Sequence, residues 1–582
     1  MGRLLGFWLG ILFLLTGVST TLWLSWRFYT PDLTEISAQS HALFGKFENN
    51  SEFKEKAAFL HVLFSLLGWL PGALWISRHL NPSPPQWLRS WMFSVASVLC
   101  VLAAWYGLVP KQTYDFYFST SFFWNREWFF IFVVAPLGWV GLWNSAPIAR
   151  KTMNVLGVFA SGVAILLPLS SQIWTAHTDS SIQHTGALLF PIVQVSRGYD
   201  YFIDAWTTYG GGFAYLLSPV FSSIIRPTVF NYSLVLTALA GLSFLLLAIA
   251  WLRAIRSPSI AGFAFTASLI FTYIHGKIAT IEPYYQVPPL RTLFPAFFFL
   301  LSGEYARNPG SRIVRSVTTA FCVLGFFWTP DAGLWVTATW AAALLFDFWG
   351  RRIGLKAAVV ELAWQLATLF AALVLIFGFF AMRFWIRQGQ LPHFSLFFFN
   401  ILAFGKFGNM GLPMVFPHLW GLFVIIYLAG LFWALLRARS GGHDPLVVFI
   451  NALFGILTLS YFLARSHDWN LIHFSWPVFF IVGLFAERSV ALLKYPDPKV
   501  GLAVLHFLLA SSLPLIQAPL TLATQAPTLL KMARDRFVSL SYRNPEMTEV
   551  IDFLKTHTAP GEPIMLFSLF QQAQFLSETD AV

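Results

Sequence analysis

Leu234-Val-Leu-Thr-Ala-Leu-Ala-Gly-Leu-Ser-Phe-Leu-Leu-Leu-Ala-Ile-Ala-Trp-Leu252 decides the fold. The run holds no charge and stops at Arg253. As a helix it is long enough to cross about 30 Å of hydrocarbon, where every backbone N–H and C=O must be satisfied within the segment. Leu4–Trp26 and Leu419–Leu436 read the same way. Composition agrees with them. The chain has 582 residues, 57% hydrophobic, 18% aromatic and 11% charged, against about 25% charged in a soluble domain. A water-soluble globule cannot enclose that much apolar surface. The 62 Phe and 25 Trp suit lipid-facing helices and interfacial belts.

Extending the reading predicts an all-α polytopic membrane protein with about 15 transmembrane helices. Their cores fall at 4–26, 58–76, 90–109, 128–147, 152–172, 229–252, 258–275, 291–303, 314–328, 333–348, 357–382, 417–436, 446–464, 474–486 and 500–516. The apolar segment 212–225 is short and interrupted by Pro219, so it reads as interfacial or re-entrant. The first run follows Met1-Gly-Arg3. Its length, with no small-residue cleavage site behind it, favours a retained helix over a signal peptide.

Charge then assigns the two faces. Alternate connections hold Arg3; Arg78 and Arg89; Arg150 and Lys151; Arg253 and Arg256; Arg307, Arg312 and Arg315; Arg351, Arg352 and Lys356; Arg437 and Arg439; and Arg488, Lys494 and Lys499. Their acids are only Glu304, Asp347, Asp444, Glu487 and Asp497, whereas the opposite connections are nearly balanced. By the positive-inside rule the basic face is cytoplasmic. The chain divides into an N-terminal block 1–172, a core 173–516 with a large outer loop 173–231, and a short extracytoplasmic C-terminal segment 517–582. That segment carries an expected helix Met547–Thr556, a turn Ala559–Glu562 and a strand-like Pro563–Ser568, as at the start of a small outer domain.

Several functions are disfavoured. Net charge is +11, but the basic residues are scattered singly between apolar runs, which is a poor nucleic-acid surface. Cys100 and Cys322 both lie inside apolar runs, so neither a disulfide framework nor a zinc site is expected. No metal or cofactor is implied. No internal repeat is visible.

The polar residues gather in the outer loops. Asp179-Ser-Ser-Ile-Gln-His184 leads on to Arg197-Gly-Tyr-Asp200-Tyr-Phe-Ile-Asp204 and Tyr209-Gly210. A carboxylate just past a span can stay ionised and take a proton from a hydroxyl within hydrogen-bond reach. His177 and His184 flank Asp179 and can donate to oxygen, while Asp200, Asp204 and Tyr209 can shape a polar pocket. The bland alternative is a solvated loop whose polar residues cap helices. A second group is Arg465-Ser-His467-Asp-Trp-Asn-Leu-Ile-His473. Arg465 is a permanent cation suited to a phosphate, with His467 and His473 to assist, or else a snorkelling anchor. A third is Glu282-Pro-Tyr284-Tyr285 with Arg291 at a span mouth, where an Arg is more often an anchor. A fourth is Asp331 in the hairpin Trp328–Gly333, where a helix cap is the commoner role. Asp32 is a rival base in the first outer loop. There, Glu35, Glu48, Glu52 and Glu55 interleave with Lys46, Lys54 and Lys56 like an ordinary solvated helix.

The large outer loop resembles that of polyprenol-phosphate-sugar-dependent glycosyltransferases of the C-type superfamily (GT-C). The resemblance lies in Asp179 after a span, the His184 turn, Phe190-Pro191, Gly198, Asp204 and Tyr209-Gly210, with Arg465-Ser-His467…Asn470-Leu471 as the late turn. Where that family usually has Pro after Tyr-Gly, this chain has Gly211-Gly212, expected to loosen the turn. The resemblance implies a GT-C-like core and an inverting transfer of a sugar from a polyprenyl-phosphate donor to a glycan, lipid or protein acceptor on the extracytoplasmic face; the short inner loops and the lack of a retention signal favour a bacterial inner membrane. Asp179 would be the base. Arg465, with Arg291 and His473, would meet the lipid phosphate. Tyr284 and Tyr285 would stack on the sugar and Asp331 would bond its hydroxyl. The alternatives are a lipid-linked glycan polymerase or ligase, and a transporter or flippase, which would place ionisable groups at mid-membrane. Only Glu361 lies inside a span. Asn49-Asn-Ser51 and Asn231-Tyr-Ser233 fit a glycosylation pattern that is common by chance.

Overall fold

A computed structural model describes residues 2–28, 50–79, 147–175, 188, 190–200, 211–225, 229–275, 280–281, 287–397, 419–440, 442–464, 468–492, 527, 545–559, 563–564 and 580–581. The regular secondary structure of the described residues is helical apart from two pairs of two-residue strands. In order come α1 (Gly2–Phe28), α2 (Asn50–His79), α3 (Pro147–Thr175), α4 (Phe213–Ser223), α5 (Val229–Ala254), α6 (Pro258–Tyr273), α7 (Leu293–Arg307), α8 (Arg312–Trp328), α9 (Pro330–Gly350), α10 (Leu355–Gln388), α11 (Leu419–Arg437), α12 (His443–Ala464), α13 (Asp468–Ile472), α14 (Trp476–Leu492) and α15 (Pro545–His557).

Among the described residues four helical stretches are long and apolar enough to cross a membrane: Asn231–Ala254, Pro330–Gly350, Lys356–Gln388 and His443–Leu463. A bent pair, Ala57–Leu66 and Gly68–Ile76, makes a fifth if it is one span. Shorter apolar helices run over Leu12–Ser25, Lys151–Leu166, Pro258–Leu269 and Phe423–Arg437. This is the architecture of a helical membrane protein. The expected cores 90–109 and 500–516, and 128–147 save its last residue, lie outside the described residues. Segment 212–225 is helical over only 11 residues, too short to cross at about 1.5 Å per residue.

The interior is built where small residues let helices approach. α6, α7, α9 and α12 supply Ala264, Ala296, Ala343 and Ala452, each essentially inaccessible, and α14 sets Gly483 against Ala264. Aromatic rings fill the spaces between them: Trp476 lies edge-on to Phe299 at 4.6 Å, and Trp251 touches Phe265 and Phe480 at 5.4 Å each. α1 and α2 pair as a hairpin, with Trp69 donating to Thr21 at 3.1 Å and Ser25 bonded to His61 at 2.7 Å. In the C-terminal segment Pro563–Ile564 pairs in parallel with Asp580–Ala581 after α15.

Helix direction defines two ends. α3 runs parallel to α6, because the Ser259 N–H donates to Asn154 and the Ser161 hydroxyl to the Gly262 carbonyl, so both contacts advance together. α6 finishes at Tyr273, whose ring is 6.3 Å from that of His473. His473 precedes Phe474, which packs on Trp335 of α9 and Tyr461 of α12. The last turns of α3, α6 and α12 and the first turn of α9 therefore share one end of the bundle. The starts of α8 and α10 and the finish of α9 share the other.

Candidate functional site

Two buried ionic contacts organise the first of these ends. Arg291 lies in the turn 287–292 ahead of α7 and is only 8% exposed. A buried guanidinium must be paired. Its Nε donates to Asp331 Oδ2 at 2.5 Å, and its guanidinium covers the ring of Tyr461 at 4.8 Å. The other Asp331 oxygen accepts the Ala332 N–H at 2.8 Å. Asp331 thus satisfies a first-turn N–H, as the capping expectation had it, though from inside the helix. The cap position of α9 belongs to Thr329, and Asp331 sits in the first turn, where the helix dipole favours an acid. Nor is Arg291 an interfacial anchor, since it points into protein.

The second contact ties the outer loop to α10. Asp200 is wholly buried. It accepts from Gln388 Nε2 at 3.1 Å and faces Arg383 Nη2 at 3.8 Å. Arg383 also covers the ring of Tyr215 at 5.1 Å, and Arg387 donates to the Gly198 carbonyl at 3.3 Å. Asp200 and its loop are thus held by residues at 383, 387 and 388, none of which stood out in the sequence. Their one signal was a polar i, i+4, i+5 set closing a long apolar helix.

The two contacts join through the α8–α9 corner. The Trp328 indole and the Thr329 hydroxyl both donate to the Leu290 carbonyl, at 2.7 and 3.3 Å. The Gly212 N–H donates to the Phe327 carbonyl at 2.5 Å. Gly211 has φ of +84°, and a Cβ there would lie 2.4 Å from the Trp328 carbonyl oxygen. A Cβ on Gly212 would strike the Phe327 ring at 2.1 Å. The double glycine therefore does not loosen this turn. It lets the loop lie flat on the corner that holds Asp331.

His473 is buried beside Tyr273 at this end. Asp179, His177, His184, Asp204, Tyr209, Tyr284, Tyr285, Arg465 and His467, and the rival Asp32, lie outside the described residues. The helices beside them do not: α3 ends four residues before Asp179, and α12 one residue before Arg465. Both finish at the Arg291–Asp331 end. Tyr461, Ser460 and Trp335 line the same place, with the Trp335 indole donating to Ser460 at 3.0 Å, and none was visible as a site residue in sequence. Among the described residues no group of three or more His, Cys, Asp or Glu could hold a metal ion.

No protein-family model matches the chain, and no curated protein matches it.

Proposed function

We propose that this protein is an inverting, GT-C-like glycosyltransferase of a bacterial inner membrane, crossing it with about 15 helices and moving a sugar from a polyprenyl phosphate to an acceptor hydroxyl outside. The observation that carries the reading is the convergence of helix ends. The helices leading into the Asp179 loop and the Arg465 turn finish where Arg291, Asp331 and Asp200 are already held. The loop motifs that resemble the family support it independently.

In this reading Asp179 takes the proton from the acceptor hydroxyl, whose oxygen attacks the anomeric carbon. The bond to the lipid phosphate breaks, and that phosphate leaves with both electrons. Arg465 neutralises it, as preorganised cations do for a developing charge. Arg291 takes a different part from the one its position in sequence suggested. With its Nε on Asp331, it orients that carboxylate towards a sugar hydroxyl. His177, His184 and His467 donate to donor oxygens, and Tyr284 and Tyr285 stack on the ring. Asp204 and Tyr209 continue the polar wall begun by Asp200. His473, buried beside Tyr273, supports the late turn. The transporter reading draws on Glu361, but that carboxylate is paired with Arg315 at 2.7 Å.

The test is release of polyprenyl phosphate from a radiolabelled polyprenyl-phosphate sugar by the reconstituted protein, with envelope membranes as acceptor. Asp179→Asn should lower turnover by roughly 10²–10⁴-fold, the range for loss of a positioned base, while Asp32→Asn keeps it. Full activity in Asp179→Asn, or no transfer from any polyprenyl-phosphate sugar, ends the proposal.

A further inference from the structure

At the opposite end of the bundle, two helices begin with the wrong charge for a helix start. α8 opens Arg312-Ile-Val-Arg315 and α10 opens Leu355-Lys356, and neither has an acid in its first turn. A helix N-terminus presents unpaired N–H groups and the positive end of its dipole, so it favours anions and repels cations. α8 is capped by Ser311, whose hydroxyl accepts the Val314 N–H at 3.3 Å, but α10 has no side-chain cap, since its cap position is the exposed Gly354. The turn between α9 and α10 adds Arg351 and Arg352. Arg352 has φ of +53°, a left-handed conformation usually left to Gly or Asn.

The nearby acids are already engaged. Asp347 accepts from the Tyr305 hydroxyl at 2.5 Å and pairs with Arg351. Glu361 pairs with Arg315 at 2.7 Å and lies 3.8 Å from Arg312. Arg312, Arg352 and Lys356 remain exposed. Arg315 is 5% exposed, and its Nε has no hydrogen-bond partner among the described residues. The rim therefore carries uncompensated positive charge. Alongside it lie the exposed apolar side chains Ile313, Val360 and Trp364. The Trp364 indole donates to Ser316 at 3.2 Å, which joins the flanks of α8 and α10 into one surface. Positive charge at the end of a spanning helix, continuous with an exposed apolar flank, complements an amphiphile with an anionic head.

We infer that this rim binds an anionic phospholipid. Its phosphate lies against Arg312, Arg352, Lys356 and the first turns of α8 and α10, and an acyl chain follows Ile313, Val360 and Trp364. A zwitterionic lipid brings no net charge to the rim, and a soluble phosphate leaves the apolar flank unused. The site is independent of the glycosyltransferase reading.

The experiment counts bound molecules by native mass spectrometry on the full chain in neutral detergent, titrated with phosphatidylglycerol, phosphatidylcholine or glycerol 3-phosphate. The unaltered protein should retain phosphatidylglycerol and not phosphatidylcholine. The variant R312Q/R352Q/K356Q should bind it roughly 100-fold more weakly, the scale for three interfacial cations lost. A control, R253Q/R256Q/R307Q, removes the same charge elsewhere on that face and should change binding less than about twofold. Equal retention of both lipids by the unaltered protein overturns the inference without any variant. Equal loss in the control, or glycerol 3-phosphate binding as tightly as the lipid, also overturns it.

Discussion

α10 and α12 have the same mean hydropathy, 2.2, over their apolar windows, yet 72% of the α12 window is buried and only 6% of the α10 window. Hydropathy reports which solvent a helix tolerates and says nothing about which neighbours it has. α12 lies inside the bundle because its packing positions are small: Gly455 sits on the Tyr427 ring and Ala452 faces Gly430. α10 turns Phe370, Leu375, Phe379 and Ile386 outward, as a lipid-facing helix does. Polar contacts hold α10 near its two ends. At one, Glu361 pairs with Arg315 and Gln365 accepts from Thr319 at 2.7 Å. At the other, Gln388 and Arg383 reach Asp200.

The largest expected effect is on the α12 side. Asp331→Ala removes a carboxylate from the buried Arg291 guanidinium beneath Tyr461, and loss of one partner from a buried pair costs about 3–5 kcal/mol. Thermal unfolding in detergent should show it, and an unchanged midpoint would mean the pair is solvated. Next comes a matched pair of glycines. Gly455→Leu drives a side chain into the buried Tyr427 ring, 2.2 Å from where a Cβ would stand, at a cost of about 1–3 kcal/mol or more. Gly378→Leu on α10 meets nothing closer than Val374 at 4.0 Å and should lie within about 1 kcal/mol of the unaltered protein. Equal losses would erase the distinction between the two helices.

A fluorescence test sharpens it further. Trp364 and Trp385 are more than half exposed, whereas Trp335 and Trp340 are buried. Brominated lipid should quench less after Trp364→Phe or Trp385→Phe, and no less after Trp340→Phe. The smallest effect belongs to Arg387→Ala, whose exposed contact to the Gly198 carbonyl should be worth no more than about 1 kcal/mol.

Much of the helical framework was legible, because a long apolar run in a bilayer can satisfy its backbone only as a helix and the C-terminal segment pairs apolar with charged residues at helical spacing. The core expected at 357–382 falls within Leu355–Gln388, and the helix expected at Met547–Thr556 within Pro545–His557. The partners of those helices were not legible. Asp200 meets Gln388 across 188 positions and Arg291 meets Asp331 across 40, and no local pattern encodes such pairings. Asp331 reads as a cap in sequence because Asp favours helix starts. Only the fold brings a guanidinium to it. The Gly211-Gly212 step reads as slack, yet it fits a corner built by Phe327 and Trp328.

The account rests on Asp179 and Arg465 opening onto one extracytoplasmic cavity. Its most direct test places cysteines at both positions after Cys100 and Cys322 are replaced by Ala, and treats intact cells with a membrane-impermeant maleimide and a short bis-maleimide. The account predicts that both cysteines are labelled from outside and are bridged by the cross-linker. Labelling of only one from outside, or two labelled residues that never bridge, would contradict it.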